Sequence, residues 1–272
     1  MSRIPLSAAI GLFFTSLYFL MAIFAPWIAP YGMSEIVSND IWESASAKHW
    51  LGTDSIGRDL LTRMIYGGRT TIFIATAATV LSFSLGSVFG LTAAVLGGWV
   101  DQVLSRFVDL VMSIPTLIFA LVVLSVMPVT IFVLIIVMGL LDATRVYRLS
   151  RAVAVDVNVM DYVEAAKLRG EGTRWIIFRE ILPNVLSPLV AEMGLRFIFM
   201  VLFVSTLSFL GLGVQPPEAD WGGIVKENKE GIVYGIPAAL WPAFAIATLA
   251  ISVNLVADWV LNRTASLKGG RG

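Results

Sequence analysis

Asp161, Glu164, Lys167, Arg169, Glu171, Arg174, Arg179 and Glu180 crowd into one short stretch of a chain that is otherwise mostly hydrocarbon. Acids and bases mixed this closely, with small Ala165 and Ala166 beside Glu164, suit recognition: charged groups pair with a partner while small residues allow close approach. The other chemistries the residue types could support fall away in turn. There is no cysteine, so no disulfide framework, Cys-zinc site, iron–sulfur cluster or thiol catalysis is possible. The single histidine, His49, cannot make a metal site by itself and reads as a loop or interface residue. Gly52 to Asp59, GTDSIGRD, is a near miss to a phosphate-binding loop. That loop needs Lys and then Ser or Thr after its second Gly, and Arg58-Asp59 supplies neither. No pair of carboxylates and no Ser/His/Asp set can be placed together from the sequence, so catalysis has no candidate residues.

The polar stretch needs elements to hold it. Val155, Val159, Val163 and Ala166 recur every three or four positions, which predicts a helix with one narrow buried stripe. Gly170 and Gly172 break that helix. A second helical piece runs through Trp175, Ile176, Ile177, Phe178, Ile181 and Leu182 until Pro183 stops it, and Pro183 and Pro188 bracket the return to apolar sequence. Periodicity alone allows two readings, an ordinary amphipathic loop between membrane spans or a surface presented to something soluble.

Glu164-Ala165-Ala166, Gly170 and Leu182-Pro183 resemble the EAA loop of importer-type ABC transporter permeases. The resemblance implies that the loop forms coupling helices seated in a groove of a cytoplasmic ATPase subunit, with Asp161, Glu164, Ala165, Ala166, Gly170, Arg174 and Pro183 as the coupling residues. Position 180 is Glu, where peptide-type relatives often carry His. Two further stretches, HWLGTDSIGRDLLTRMIYGGRT (His49 to Thr70) and FLGLGVQPPEADWG (Phe209 to Gly222), resemble the dipeptide, oligopeptide and nickel permeases. The likeness runs from about His49 to Asp258.

With 57% hydrophobic and 14% charged residues and a mean hydropathy of +0.84, the composition is that of a membrane protein. Leu6 to Ile28 is long enough to span and is read as a retained first helix rather than a signal peptide. Tyr31 to Arg69 is a hydrophilic outer loop, and Thr71 to Leu96 is the second span. Gly86, Gly90, Ala94 and Gly98 fall four apart, a face stripped of bulk for close helix packing. Gly97-Gly98 ends that span, and Trp99 to Asp109 is a short link.

Leu110 to Leu141 is too long for one helix across a ~30 Å core and is read as a hairpin of two spans turning at Met127 to Thr130. Asp142 and Arg145 mark the fourth span's end. Leu189 to Leu212 is the fifth span and Ala238 to Leu261 the sixth, with a polar loop to Gly235 between them.

Six spans place both termini and the coupling loop on one side. That side carries Arg3, Arg106, Arg145, Arg148, Arg151, Lys167, Arg169, Arg174, Arg179, Arg263, Lys268 and Arg271, against Lys48, Arg58, Arg63, Arg69, Lys226 and Lys229 on the other. The richer side is therefore read as cytoplasmic. The first outer loop is basic for its side; either Asp54 and Asp59 offset this or the loop lies on the membrane surface. Within the spans, Glu192 and Arg196 stand four apart with the acid N-terminal, the favourable order for an intrahelical pair, and are read either as a structural pair or as a substrate contact. Asn254 and Asp258 repeat the spacing near the inner interface.

The expectation is an all-α polytopic membrane protein of six transmembrane helices, with a cytoplasmic coupling loop between the fourth and fifth. Residues 1–30 hold a head and the first helix, 31–70 an outer loop, 71–262 a permease core with the coupling loop at about 155–188, and 263–272 a cytoplasmic tail. By the resemblance the chain is a non-catalytic permease subunit in the bacterial cytoplasmic membrane. Its implied partners are a homologous permease (a heterodimer), two cytoplasmic ATPase subunits that hold ATP and magnesium, a periplasmic or lipid-anchored binding protein, and membrane lipid. The chain itself carries no cofactor or metal and meets no nucleic acid. Peptides are the expected substrate, with nickel, glutathione or opines as alternatives. An ion-coupled secondary transporter is the alternative from another class, marked by inverted repeats and helices broken at midplane; no convincing repeat is visible.

Overall fold

The computed structural model describes residues 4–269. Arg3 and Arg271 lie outside the described residues, and so does the Lys268 side chain. Every regular element among the described residues is helical, apart from isolated bridges that pin Ile36 to Arg58 and Thr53 to Asp59. The helices are α1 (Leu6–Ile28), α2 (Leu60–Leu96), α3 (Gly98–Met112), α4 (Thr116–Val126), α5 (Ile131–Asn158), α6 (Asp161–Leu168), α7 (Thr173–Trp175), α8 (Leu182–Phe209), α9 (Trp221–Asn228) and α10 (Leu240–Gly269). Four stretches are long and apolar enough to cross a membrane: α1, α2, the continuous run Thr173–Phe209 and the run Pro237–Arg263. The pair α3 and α4, bent by 81°, makes a fifth if it is one broken span.

α2 starts eleven residues before the expected Thr71, because Asp59 caps it. The Asp59 carboxylate accepts from the Thr62 backbone N–H and hydroxyl, both at 2.8 Å, and meets His49 Nδ1 at 3.0 Å. A capped first turn outweighs the polarity of residues 60–70, which the sequence places in the outer loop. Residues 99–109, expected as a link, are helical within α3. Trp99, Val103, Phe107 and Leu110 are exposed on one side of it, and Asp101 and Ser105 turn toward α5.

The expected third span is not one straight helix. Pro115 cannot continue the backbone ladder of α3, and the axis turns at Ser113 to Pro115 before α4 begins. The turn at Met127 to Thr130 lies where the hairpin reading places it, between α4 and α5.

Pro183 does not stop a helix. Ile176–Ile181 forms a π-helical turn, in which the Leu182 N–H reaches back to the Ile177 carbonyl, and α8 follows directly, carrying Pro183 at its start and Pro188 inside. The wider turn makes room for a ring that would otherwise press on the carbonyl four residues back. The result is one rod from Thr173 to Phe209.

A large core joins α2, α4, α5, α8, α9 and α10, with Leu134, Met138, Met200, Leu207 and Trp221 fully buried. α1 packs on α10 through Gly11, where an added Cβ would stand 2.7 Å from the Ser252 carbonyl, and through the Tyr18–Thr248 hydroxyl pair. A second, smaller core gathers Leu91, Ala154, Val163, Ile176, Ile181 and Val185, and fixes residues 161–181 to the bundle.

Candidate functional site

α6 is anchored by two side chains. Val163, within the second core, and Ala166 are fully buried, whereas Val155 and Val159 are exposed. The expected four-residue stripe is therefore two residues long, because α5 ends at Asn158 and α6 starts at Asp161 on a new axis. Lys167 ties the corner, donating to the Asn158 side-chain oxygen at 2.9 Å and its carbonyl at 3.3 Å, while Asn158 donates to the Ala94 carbonyl at 3.0 Å. A cation on the last carbonyls of α5 also suits that helix's negative end.

α6 ends in a paired closure: the Glu171 N–H reaches the Ala166 carbonyl and the Gly170 N–H the Lys167 carbonyl. That closure needs a left-handed residue, and Gly170 has φ of +80°. An added Cβ at Gly170 would meet no atom within 4 Å, so the backbone angle and not space restricts the position.

Of the expected coupling residues, Asp161, Glu164, Ala165, Gly170, Arg174 and Pro183 lie on the outside, and Ala166 alone faces inward. Exposed apolar side chains stand among them: Leu168 (84% exposed), Phe178, Tyr162 and Trp175. Arg169 lies over the Trp175 ring at 5.7 Å and 3.9 Å from both Glu171 and Glu180. Apolar and charged groups interleaved on one protruding surface, with little engagement between them, are the marks of a surface that a partner covers.

The packing residues divide. A Cβ on Gly86 would come 2.6 Å from Val146 Cβ, and one on Gly90 2.7 Å from the Tyr147 carbonyl, both on α5. Ala94 is buried farther down. Gly98 lies past the end of α2, opening α3 with φ of +53° and open space around it, so it falls outside that packing face.

The intramembrane residues divide too. Arg196 donates to Glu192 at 2.6 and 2.9 Å, and its Nη1 lies 3.5 Å from Asp142. Asp142 is thus a buried mid-helix residue of α5 facing Arg196 of α8. Asn254 meets Asp258 at 3.4 Å on the exposed side of α10, apart from the others.

Sequence reasoning missed the outer ion network. Arg58 donates to Asp54 and to Glu227, each at 2.6 Å, and Arg63 donates to Glu227 at 2.7 Å. Asn228 beside them accepts from Trp42 Nε1 and the Ser55 N–H. The spacing of Asp54 and Arg58 was the visible signal, but Glu227 comes from α9, far away in the sequence. Asp220 caps α9 by accepting from the Gly222 and Gly223 N–H groups, and burial pushes its carboxyl up to about 7.

A helical bundle with several helices long and apolar enough to cross a membrane is the fold of a multi-pass membrane protein. Comparison with known proteins gives its family. Residues 86–266 match the binding-protein-dependent transport system inner membrane component, and residues 7–44 match the N-terminal transmembrane domain of oligopeptide transport permease C. The chain belongs to this family of bacterial inner-membrane permeases, the non-catalytic transmembrane subunits of ABC importers. It is similar to a dipeptide transport system permease of Alkalihalophilus pseudofirmus (30% identity, covering 92% of this chain and 83% of the relative). It is also similar to a di/tripeptide transport system permease of Pseudomonas aeruginosa (32%, 91% and 84%). A glutathione transport system permease of Pectobacterium atrosepticum matches at 29% over 94% of this chain and 85% of the relative.

Proposed function

We propose that this chain forms half of the pathway of an ATP-driven peptide importer, and that the surface from Asp161 to Pro183 is where it seats on a cytoplasmic ATPase subunit. The observation that carries the reading is the outward set Glu164, Ala165, Leu168 and Phe178, anchored from behind by Val163, Ala166 and Ile181. The rod from Thr173 to Phe209 is about 55 Å long at 1.5 Å per residue. Movement at its inner end therefore reaches the outer half of the membrane without a joint, and two seated positions of the coupling segment become two states of the pathway. ATP and magnesium belong to the ATPase subunits, a second homologous permease supplies the other half, and a binding protein delivers substrate from outside. Peptides are the substrate class because relatives named for dipeptides and di/tripeptides match over nine-tenths of the chain.

Six spans follow if α3 with α4 is one broken span and α5 is another, its apolar outer half giving way to Asp142, Arg145, Arg148 and Arg151. Both ends are then cytoplasmic. The natural absence of cysteine makes this directly testable. A cysteine at exposed Tyr234 is expected to react with an impermeant thiol reagent from outside and one at Glu171 only from inside; the reverse pattern refutes the topology. Gly222 is unsuited to this test, being buried in α9. For the function, the complete importer in vesicles is expected to take up dialanine only with ATP, ATPase subunits and binding protein together. Uptake driven by an ion gradient without them would instead make the chain a secondary transporter.

A further inference from the structure

The inner half of the bundle holds charges that none of the preceding roles uses. Arg145 lies about 21 Å along α5 from its outer end, and Arg196 about 20 Å along α8 from its own, so both stand within a hydrocarbon core ~30 Å thick. Glu192 pairs with Arg196, and Asp142 lies between the two arginines. Asp142 is 1% exposed, but the side chains of Arg145, Glu192 and Arg196 are 29%, 24% and 22% exposed. Charged groups open to one side at this depth do not face lipid. They face a water-filled path or another polar surface.

We propose that Glu192, Arg145 and Arg196 form a station in the transport pathway that takes the charged ends of a peptide in transit, Glu192 meeting its ammonium group and the guanidinium groups its carboxylate. The assignment rests on the peptide reading above. Three observations carry it. Both signs are exposed together, Glu192 beside Arg196 and Arg145 across from them, so each end of a zwitterionic peptide finds an opposite charge. Asp142 stands beside both arginines without occupying their donors: Nη1 of Arg196 is 3.5 Å and Nη1 of Arg145 3.9 Å from it. Finally, Arg145 is held in place before any substrate arrives, donating to Thr116 Oγ1 at 3.0 Å and lying 4.6 Å over the Phe199 ring. A fixed guanidinium with uncommitted N–H groups is prepared for a carboxylate.

The test uses the complete importer, with ATPase subunits and binding protein, in membrane vesicles. Leu195→Cys, on the exposed side of α8 beside Arg196, is expected to react with a charged methanethiosulfonate about tenfold faster than Leu17→Cys on the apolar face of α1, since only water carries the reagent in. Arg145→Gln and Glu192→Gln are each expected to lower dialanine uptake about tenfold, the scale of one charged contact. Complex abundance and binding-protein-stimulated ATP hydrolysis should persist, and Arg145→Lys should restore part of the uptake. Glu192→Gln, which keeps the side-chain shape, serves if Arg145→Gln fails to assemble. Equal labelling at Leu195→Cys and Leu17→Cys, or wild-type uptake by both charge variants, overturns the station. A wild-type importer that takes up no di- or tripeptide overturns the peptide reading and the assignment of peptide ends with it. The labelling then separately reports whether this face lines the pathway.

Discussion

The proposed outer layer, built from residues 31–59, the first turn of α2 and α9, and the proposed coupling segment from Asp161 to Ile181 are both rich in charge, yet they handle it in opposite ways. In the outer layer Asp54, Arg58 and Arg63 are buried and bonded to one another and to Glu227. In the coupling segment Glu164 and Arg174 stand in solvent, and Arg169 keeps 3.9 Å from two acids. Buried charges bonded to one another are costly to uncouple, because removing one strands its partner, and charge left exposed beside Leu168 and Phe178 is available to another subunit. Stability and assembly should therefore respond separately to changes in the two regions.

The largest effect is expected where the outer charges are committed. Asp54 accepts from the Ile56 and Arg58 backbone N–H groups as well as from the Arg58 guanidinium. Asp54→Ala leaves two buried arginines to one carboxylate and is expected to cost about 3–5 kcal/mol. Thermal unfolding in detergent measures this. A midpoint unchanged from wild type would mean that the outer layer is not the stabilising half of the comparison.

A smaller effect should follow pH through Asp220, whose folded pKa of about 7 stands above the ordinary carboxylate value because of burial. Between pH ~4 and ~7 the unfolded chain has released this proton while the folded chain still holds it. The folded state binds more protons there, so this contribution to stability falls as pH rises through that window and levels off above it. Asp220→Asn keeps an oxygen for the α9 cap and removes the proton. The variant is expected to gain on wild type as pH rises from 4 to 7, by up to about 4 kcal/mol, because it has no carboxyl proton to give up across that window. A pH-independent difference between the two proteins would refute the assignment.

The same contrast explains what could be read from the chain alone. Signals that act within a few residues were legible: the apolar run of α1, the break at Gly97-Gly98, the turn at Met127 to Thr130 and the Gly170 closure. Features set by distant partners were not. Arg63 looked like an outer-loop cation because Glu227, which buries it, is 164 positions away. Asp142 looked like the end of an apolar run, but Arg196 faces it from α8. Pro183 looked like a stop, since sequence gives no sign that a π-helical turn will make room for its ring. α3 is a different failure. Its period was present in Trp99, Val103, Phe107 and Leu110, and was hidden by placing the span boundary at Leu110.

The smallest expected effect on stability belongs to Glu164→Arg, and it is the most informative for that reason. Glu164 is exposed on α6 and forms no ion pair among the described residues, so reversing its charge should change unfolding by no more than about 0.5 kcal/mol. Its place in the first turn of α6 makes a small loss the expected sign, because an acid there suits the helix's positive end. Assembly should respond quite differently. Beside Ala165, which lets the helix seat closely, the substituted arginine would meet whatever basic group now faces Glu164. Association with the ATPase subunit, or the rise in ATP hydrolysis on adding substrate-loaded binding protein, is expected to fall tenfold or more, about the cost of one reversed charge contact in an interface. Membrane abundance and the unfolding midpoint have to be measured on the same preparation, since a misfolded permease would also fail to import. A variant that folds, binds its ATPase subunits and keeps full stimulated hydrolysis would show that this exposed charge is solvent-facing decoration, and the division between a committed outer layer and an available inner one would fail.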